Sequence, residues 1–403
     1  MDIRKIDIAS FLRFFSIMNN GEIDIFLGSG SSAQAGIPTG QLMTWDFKRE
    51  IYCTEQNVSK EYFKDINSVS TKQILQNYFD SNSKYEGLSS PNEYAKYFEL
   101  CYPTSTERKR YIQSKVSNVS PTIGHLCLGD LFIKKCIANI WTTNFDELIE
   151  AGIKTLLPHH SFNVYSSANK SNATDNDLSS IFKLHGDYRY DHIKNTTTEL
   201  QSLESKMLST FSEGLTNKGL VVIGYSGSDE SIMNILEEKI TNLSFLKYGL
   251  IWVIPEGISL SERLSKLMEI TCNANENSGI VVIEGFDEFL YRLYSNQKDK
   301  NEIIENRWLD YGHKKLPILF NSKAVTNFIK LNAYESISYP QCMSFDTDID
   351  SWKLLREVIC SNIIAALYNK KIYCFEDEND IKSKFNIHIK SSIKLENIPV
   401  KIL

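Results

Sequence analysis

Glu22-Ile23-Asp24-Ile25-Phe26-Leu27-Gly28-Ser29-Gly30-Ser31-Ser32-Ala33-Gln34-Ala35-Gly36-Ile37-Pro38 reads as a short, largely apolar strand that runs directly into a glycine-rich turn. Strands of a parallel sheet, covered on both faces, have this composition. Glycines at 28 and 30 permit a tight turn and close backbone approach, and the small Ser31, Ser32 and Ala33 keep the path clear. Amide groups exposed in such a turn can cradle a pyrophosphate. A bare pair of glycines can also do no more than turn the chain. Here the strand ahead and Gly36-Ile37-Pro38 behind favour a dinucleotide.

Working outward, Ile6, Ile8, Phe11, Leu12, Phe15 and Ile17 fall at roughly helical spacing, and Asn19-Asn20-Gly21 stops that helix before the strand. Further apolar runs at 137–141, 181–184, 220–224, 250–254 and 280–283 read as buried strands. Segments with helical periodicity lie between or after them at 147–156, 199–211, 231–241 and 286–293. This alternation predicts an α/β fold, a Rossmann-like doubly wound parallel sheet. Residues 54–121 break the alternation with a long, polar, mainly helical stretch, which we read as an inserted helical subdomain. The sheet domain is expected to span 1–296. Dense lysine, asparagine and glutamate at 297–307 then mark a linker, and Gly312 is the last glycine, so a second phosphate-binding loop is not expected in 297–403. That tail shows an amphipathic helix around 351–367 and strand-like runs at 371–375 and 385–389, a small C-terminal α+β module of regulatory or interaction type.

The 403 residues are 42% hydrophobic and 23% charged, ample for a core. A net charge of -6 with no long Lys/Arg block argues against direct binding of nucleic acid by this chain alone. The eight cysteines are scattered without a C-x-x-C pair, as in a cytoplasmic protein with reduced thiols. No run approaches the roughly 20 apolar residues of a membrane span, so no membrane association is expected.

Three more strand-to-turn junctions carry polar residues. Ile140-Trp141-Thr142-Thr143-Asn144-Phe145-Asp146 ends a strand where ligands of open α/β sheets gather. Asn144 offers a donor and an acceptor to a carboxamide or a water; Asp146 accepts from a hydroxyl or caps the next helix. In Phe182-Lys183-Leu184-His185-Gly186-Asp187 the histidine stands just past the last apolar position, where a neutral imidazole serves as a general base or as an ordinary structural residue. In Val222-Ile223-Gly224-Tyr225-Ser226-Gly227-Ser228-Asp229, Gly224 and Ser226 are placed to pack against ribose or phosphate, and Asp229 reads as a helix cap.

In this order and at these separations the four blocks resemble the SIR2 (sirtuin) superfamily, in particular the bacterial SIR2-like domains of anti-phage defence proteins such as the NADase of the Thoeris system. The resemblance spans roughly residues 5–295 and ends on Ile283-Glu284-Gly285-Phe286-Asp287-Glu288-Phe289-Leu290. It implies that Gly28, Ser29, Gly30, Ser31 and Ser32 bind the diphosphate of NAD⁺, that Asn144 and His185 are the catalytic pair, that Asp146 sits beside the nicotinamide ribose, and that Gly224 and Ser226 line the adenosine side. Protein deacetylases of this family carry four zinc cysteines after the catalytic histidine, yet no cysteine lies between His185 and Cys272, so no metal is expected. They also follow Gly-Ile-Pro with Asp-Phe-Arg, where this chain has Thr39-Gly40-Gln41. Without the zinc module, water becomes the expected acceptor, which gives an NAD⁺ glycohydrolase releasing nicotinamide and ADP-ribose in abortive infection. The alternatives are a non-catalytic sensor of NAD⁺ or ADP-ribose and a zinc-free protein deacylase. Related proteins act as homo-oligomers or with a partner defence protein, a sensor ATPase or a short Argonaute.

Overall fold

The computed structural model describes residues 3–18, 21–85, 87–88, 93–166, 179–186, 205–242, 244–315, 342–345 and 391–394. The chain divides into two compact units, Met1–Asn301 and Glu302–Leu403. The first is built on a seven-stranded sheet in the order β3-β4-β2-β1-β5-β6-β7, with every pair parallel. Its strands are β1 (Ile23–Leu27), β2 (Asn139–Thr142), β3 (Asn163–Tyr165), β4 (Ser180–Lys183), β5 (Gly219–Ile223), β6 (Leu250–Pro255) and β7 (Gly279–Ile283). Every residue of β1, β4 and β5 is buried, as a sheet covered on both faces requires.

The helices are α1 (Ile8–Ile17), α2 (Gly40–Glu55), α3 (Val69–Asp80), α4 (Glu93–Cys101), α5 (Ser105–Val116), α6 (Ile123–Ile133), α7 (Leu148–Leu156), α8 (Ser205–Gly214), α9 (Glu230–Lys239), α10 (Glu262–Ala274) and α11 (Phe286–Ser295). The doubly wound sheet is thus as the alternation predicts. Four elements escape that reading, the three-residue edge strand β3 and helices α2, α6 and α10. The expected insertion contains α3, α4 and α5, and its aromatic core also draws on α2. There Phe47 stacks on Phe98 at 4.7 Å, and the fully buried Lys48 ammonium reaches Glu93 and, at 2.8 Å, Gln76 Oε1.

The second unit contains α12 (Glu302–Lys315) and an antiparallel pair, β8 (Cys342–Phe345) with β9 (Ser391–Lys394). Helix α12 begins inside the stretch read as a linker, because Ile303, Ile304 and Trp308 give that charged segment a helical face. The runs expected at 351–367, 371–375 and 385–389 lie outside the described residues. Among the described residues, no helix is long and apolar enough to cross a membrane.

Register fixes what stands at the head of the sheet. Thr142 is opposite both Leu27 and Lys183, and Leu27 is opposite Ile223, so β4, β2, β1 and β5 end at one level. Chain order reverses at β1, with β2 and β4 on one side and β5 to β7 on the other, the place where open α/β sheets bind ligands. A buried ion pair ties two of these ends together. The Lys183 ammonium, with no exposed side-chain surface, lies 2.7 Å from Glu150 Oε1 of α7 and donates to the Asp146 carbonyl at 2.8 Å. Burial pushes the Glu150 carboxyl up, and Lys183 pulls it back.

Lys183→Met leaves Glu150 buried without its partner and is expected to cost about 3–5 kcal/mol. Adding Glu150→Leu restores most of the loss in urea unfolding; an unchanged midpoint for the single variant would rule out this role. At the other end of the sheet Asp24 accepts from Trp141 Nε1 at 2.8 Å, and burial pushes its carboxyl up to about 6 against the pull of Trp141, Lys218 and Asn139. An unfolded aspartate titrates near ~3.9, so folding favours the protonated form. The contribution to stability is complete below that pH and is lost as pH rises through about 6. Relative to wild type, Asp24→Asn should therefore gain up to about 3 kcal/mol between pH values of roughly 4 and 7, and a pH-independent difference contradicts the assignment.

Candidate active site

The segment after β1 forms a 3₁₀ helix, Ser29–Ala35, pressed against the segment after β5. Gly28 N donates to Ile223 O at 3.0 Å and Gly30 N to Gly224 O at 2.8 Å. A Cβ at Gly28 would stand 2.5 Å from Gly224 O, and one at Gly224, whose φ is +67°, 2.4 Å from Ser31 N. Only glycine fits this contact. The amides of Gly28 and Gly30 are thus bonded to β5 and the segment after it, and Ser31 N donates within its own turn to Gly28 O at 3.0 Å. These glycines make a junction between the two loops. Ser29, half-buried, accepts from Gly40 N at 3.4 Å.

The junction supplies a clamp for Asn144. Its Nδ2 donates to Gly28 O at 3.1 Å, Ser31 Oγ at 3.1 Å and Ser32 Oγ at 3.0 Å. A backbone carbonyl only accepts, so the Gly28 contact settles which end of the amide is NH₂. Oδ1 is thereby held in place, buried and, among the described residues, without a hydrogen-bond partner. Ser31 Oγ donates to Gly28 O at 2.8 Å and Ser32 Oγ to Asp146 Oδ2 at 2.7 Å, so Ser31 ties Asn144 to the turn and Ser32 joins Asn144 to Asp146. Asp146 Oδ1 accepts from Leu148 N, the first residue of α7, at 3.1 Å, from one position ahead of the N-cap Glu147.

His185 stands in the turn after β4, anchored by Leu184 N to Thr142 O at 2.8 Å and by Gly186 N to Lys183 O at 3.2 Å, with Gly186 at a φ of +91°. The Phe145 ring beside Asn144 lies 6.2 Å from the imidazole. Nε2 is 3.0 Å from Asp229 Oδ1, but the carboxylate lies off the N–H direction, so Nε2 also has no aligned hydrogen bond. Asn144 is 9% and His185 8% exposed. Asp187 lies outside the described residues.

Asp229 occupies the N-cap position of α9, as its sequence suggests, yet its side chain makes no capping bond and faces His185 instead. Burial pushes its carboxyl up, and the nearby His185 charge together with bonds from Tyr225 and the backbone outweighs this and leaves it lowered. Burial, and then the Asp229 charge, raises the Tyr94 phenol of α4, so the insertion reaches this site. No sequence signal marks Tyr94, which lies far along the chain from the other groups. Gly224 is half-buried at the junction, whereas Ser226 is exposed and donates to Ser228 Oγ at 3.3 Å, apart from the Asn144 clamp. Behind the site, burial lowers the His125 imidazole to about 4 against the pull of Asp146, keeping it neutral. Among the described residues, no three His, Cys, Asp or Glu side chains are grouped to hold a metal ion.

One clamped carbonyl oxygen, without a hydrogen-bond partner among the described residues, and one imidazole nitrogen beside Asp229, both buried, therefore stand at neighbouring strand ends. Such a pair can take a donor at the first and a proton at the second. No curated protein matches the chain. Among solved structures it is similar to a Sir2 homologue mutant in complex with ADP ribose, at 14% identity and a TM-score of 0.38, over 71% of this chain and 94% of that one. It is also similar to Sir2 bound to acetylated peptide, at 13% identity and a TM-score of 0.36, over 72% and 98%. The family described as SIR2-like domain matches residues 138–278, a span that holds Asn144, Asp146, His185, Gly224, Ser226 and Asp229 and leaves Gly28 to Ser32 outside.

Proposed function

We propose that this chain is an NAD⁺ glycohydrolase. The observation that supports this most is the pair of unsatisfied buried atoms, Asn144 Oδ1 and His185 Nε2, at the head of a SIR2-like sheet. Buried polar groups in native proteins are nearly always bonded, and exceptions concentrate where a ligand completes them.

In this reading Asn144 Oδ1 accepts from the nicotinamide carboxamide or from the incoming water, and its rigid clamp gives that oxygen one position. The C1′–N bond breaks with its electron pair passing to the pyridinium nitrogen, so nicotinamide departs neutral and needs no acid to protonate it, unlike the leaving group of ordinary glycosides. Water adds to C1′, and the proton released goes to His185 Nε2. The products are nicotinamide and ADP-ribose. No cysteine lies between His185 and Cys272, where the deacetylase zinc module would stand, which favours water over an acyl-lysine. Ser29, Asp146, Gly224 and Ser226 keep their proposed places along the dinucleotide, Ser31 and Ser32 contributing through Asn144.

An enzyme that consumes the cell's own cofactor has to be restrained. The unit Glu302–Leu403 is assigned that task, through self-assembly or through a partner protein in anti-phage defence. Dilute monomer is accordingly expected to turn over slowly and to speed up on assembly or partner binding. Full activity of the isolated monomer in a dilution series would remove this part of the reading.

His185→Ala is the sharper catalytic test, because Nε2 makes no aligned hydrogen bond whose loss would weaken the fold. Nicotinamide release is expected to fall roughly 10²–10⁴-fold with the melting temperature little changed. Asn144→Ala should be as inactive and also somewhat less stable, since it gives up three hydrogen bonds. Binding of NAD⁺ without nicotinamide release by the activated wild type would mark a sensing module instead.

A further inference from the structure

We propose that Asp229 is a positioning residue, the counter-charge that allows His185 to hold a proton during turnover. This rests on the glycohydrolase reading, in which His185 Nε2 is the proton acceptor.

Three observations lead to it. A protonated imidazole at 8% exposure is a buried cation, and an isolated one is costly without a partner. Asp229 Oδ1 stands 3.0 Å from Nε2, with its side chain 15% exposed, so the pair is shielded from solvent on both sides. The carboxylate also lies off the N–H axis, which leaves the direction of the Nε2 lone pair open to a substrate hydroxyl or water while the charge remains within contact. An aligned bond would have used the proton-accepting direction. This arrangement separates the two tasks.

The loop keeps Asp229 available for this role. Tyr225 OH accepts from Asp229 N at 3.1 Å, and Trp252 Nε1 donates to Tyr225 O at 3.1 Å, which fixes residues 225–229 over the sheet end. Gly227, at a φ of +75°, lets the segment turn back on itself. The carboxylate gives α9 no capping bond, although it stands at the cap. Among the described residues, the titratable groups that interact with Asp229 are His185 from the turn after β4, Tyr225 from its own loop and, through its charge, Tyr94 from α4; of these His185 becomes a cation.

Asp229→Asn keeps the shape and removes the charge. In the full chain, activated for turnover, kcat for nicotinamide release is expected to fall about 10- to 100-fold while the KM for NAD⁺ stays within about threefold, the signature of an interaction made only as the proton moves. The second readout does not depend on activity: ¹⁵N-histidine-labelled protein, with the His185 signal assigned by its loss in His185→Ala, is titrated in wild type and in Asp229→Asn. The midpoint for His185 should move to lower pH by roughly one unit or more when the charge is removed. An unmoved midpoint overturns the proposal whatever the activity, as does an unchanged kcat or a loss confined to KM. If wild type releases no nicotinamide under any activation, the glycohydrolase reading fails, and the midpoint still decides whether Asp229 supports a proton on His185.

Discussion

The contact between Gly28, Gly30 and Gly224 is the constraint on which the rest of the site depends. Side chains at these positions would lie 2.4–2.9 Å from backbone atoms, so two loops from adjacent strands meet only because all three are glycines. The meeting turns the Gly28 carbonyl and the Ser31 and Ser32 hydroxyls toward Asn144, and those three acceptors hold its amide group. A flexible side chain thereby becomes a fixed one, and its unoccupied oxygen becomes a directed acceptor. Pre-organisation of this kind is what distinguishes a site from a collection of polar residues.

Under this surface lies a set of buried charges that are stable only in company. Lys183 and Glu150 neutralise each other beneath the turn that carries His185, and the same ammonium holds the carbonyl of Asp146, joining the β2 and β4 ends into one rigid support. His125 remains neutral behind it, bonded at Nδ1 by Thr122 N at 3.3 Å. Replacing such pairs with apolar groups often costs nothing in stability, so their place directly behind Asn144 and His185 speaks for geometry more than for folding energy.

Much of this was legible in the sequence. The apolar runs flanked by glycine and polar residues gave away the sheet, since strands buried on both faces leave a continuous pattern, and the same runs placed Gly28, Asn144, His185 and Gly224 at strand ends. What stayed hidden depends on contacts between distant segments. Sequence does not say that the amides of glycines 28 and 30 are bonded to the end of β5 and the loop after it. Asp229 read as a cap, because a cap position is local and its contact with His185 is not. Tyr94 lies in an insertion whose polar helices gave no hint of the surface they cover, and the three-residue β3 is too short to leave a period.

The central claim is that the buried oxygen of Asn144 and the buried nitrogen of His185 are two sides of one ligand site. The most direct measurement is a crystal structure of the chain with ADP-ribose bound. The account predicts the distal ribose between these two atoms, each within hydrogen-bond distance of a sugar hydroxyl or an ordered water. ADP-ribose bound elsewhere, with both atoms still unpaired, would contradict it.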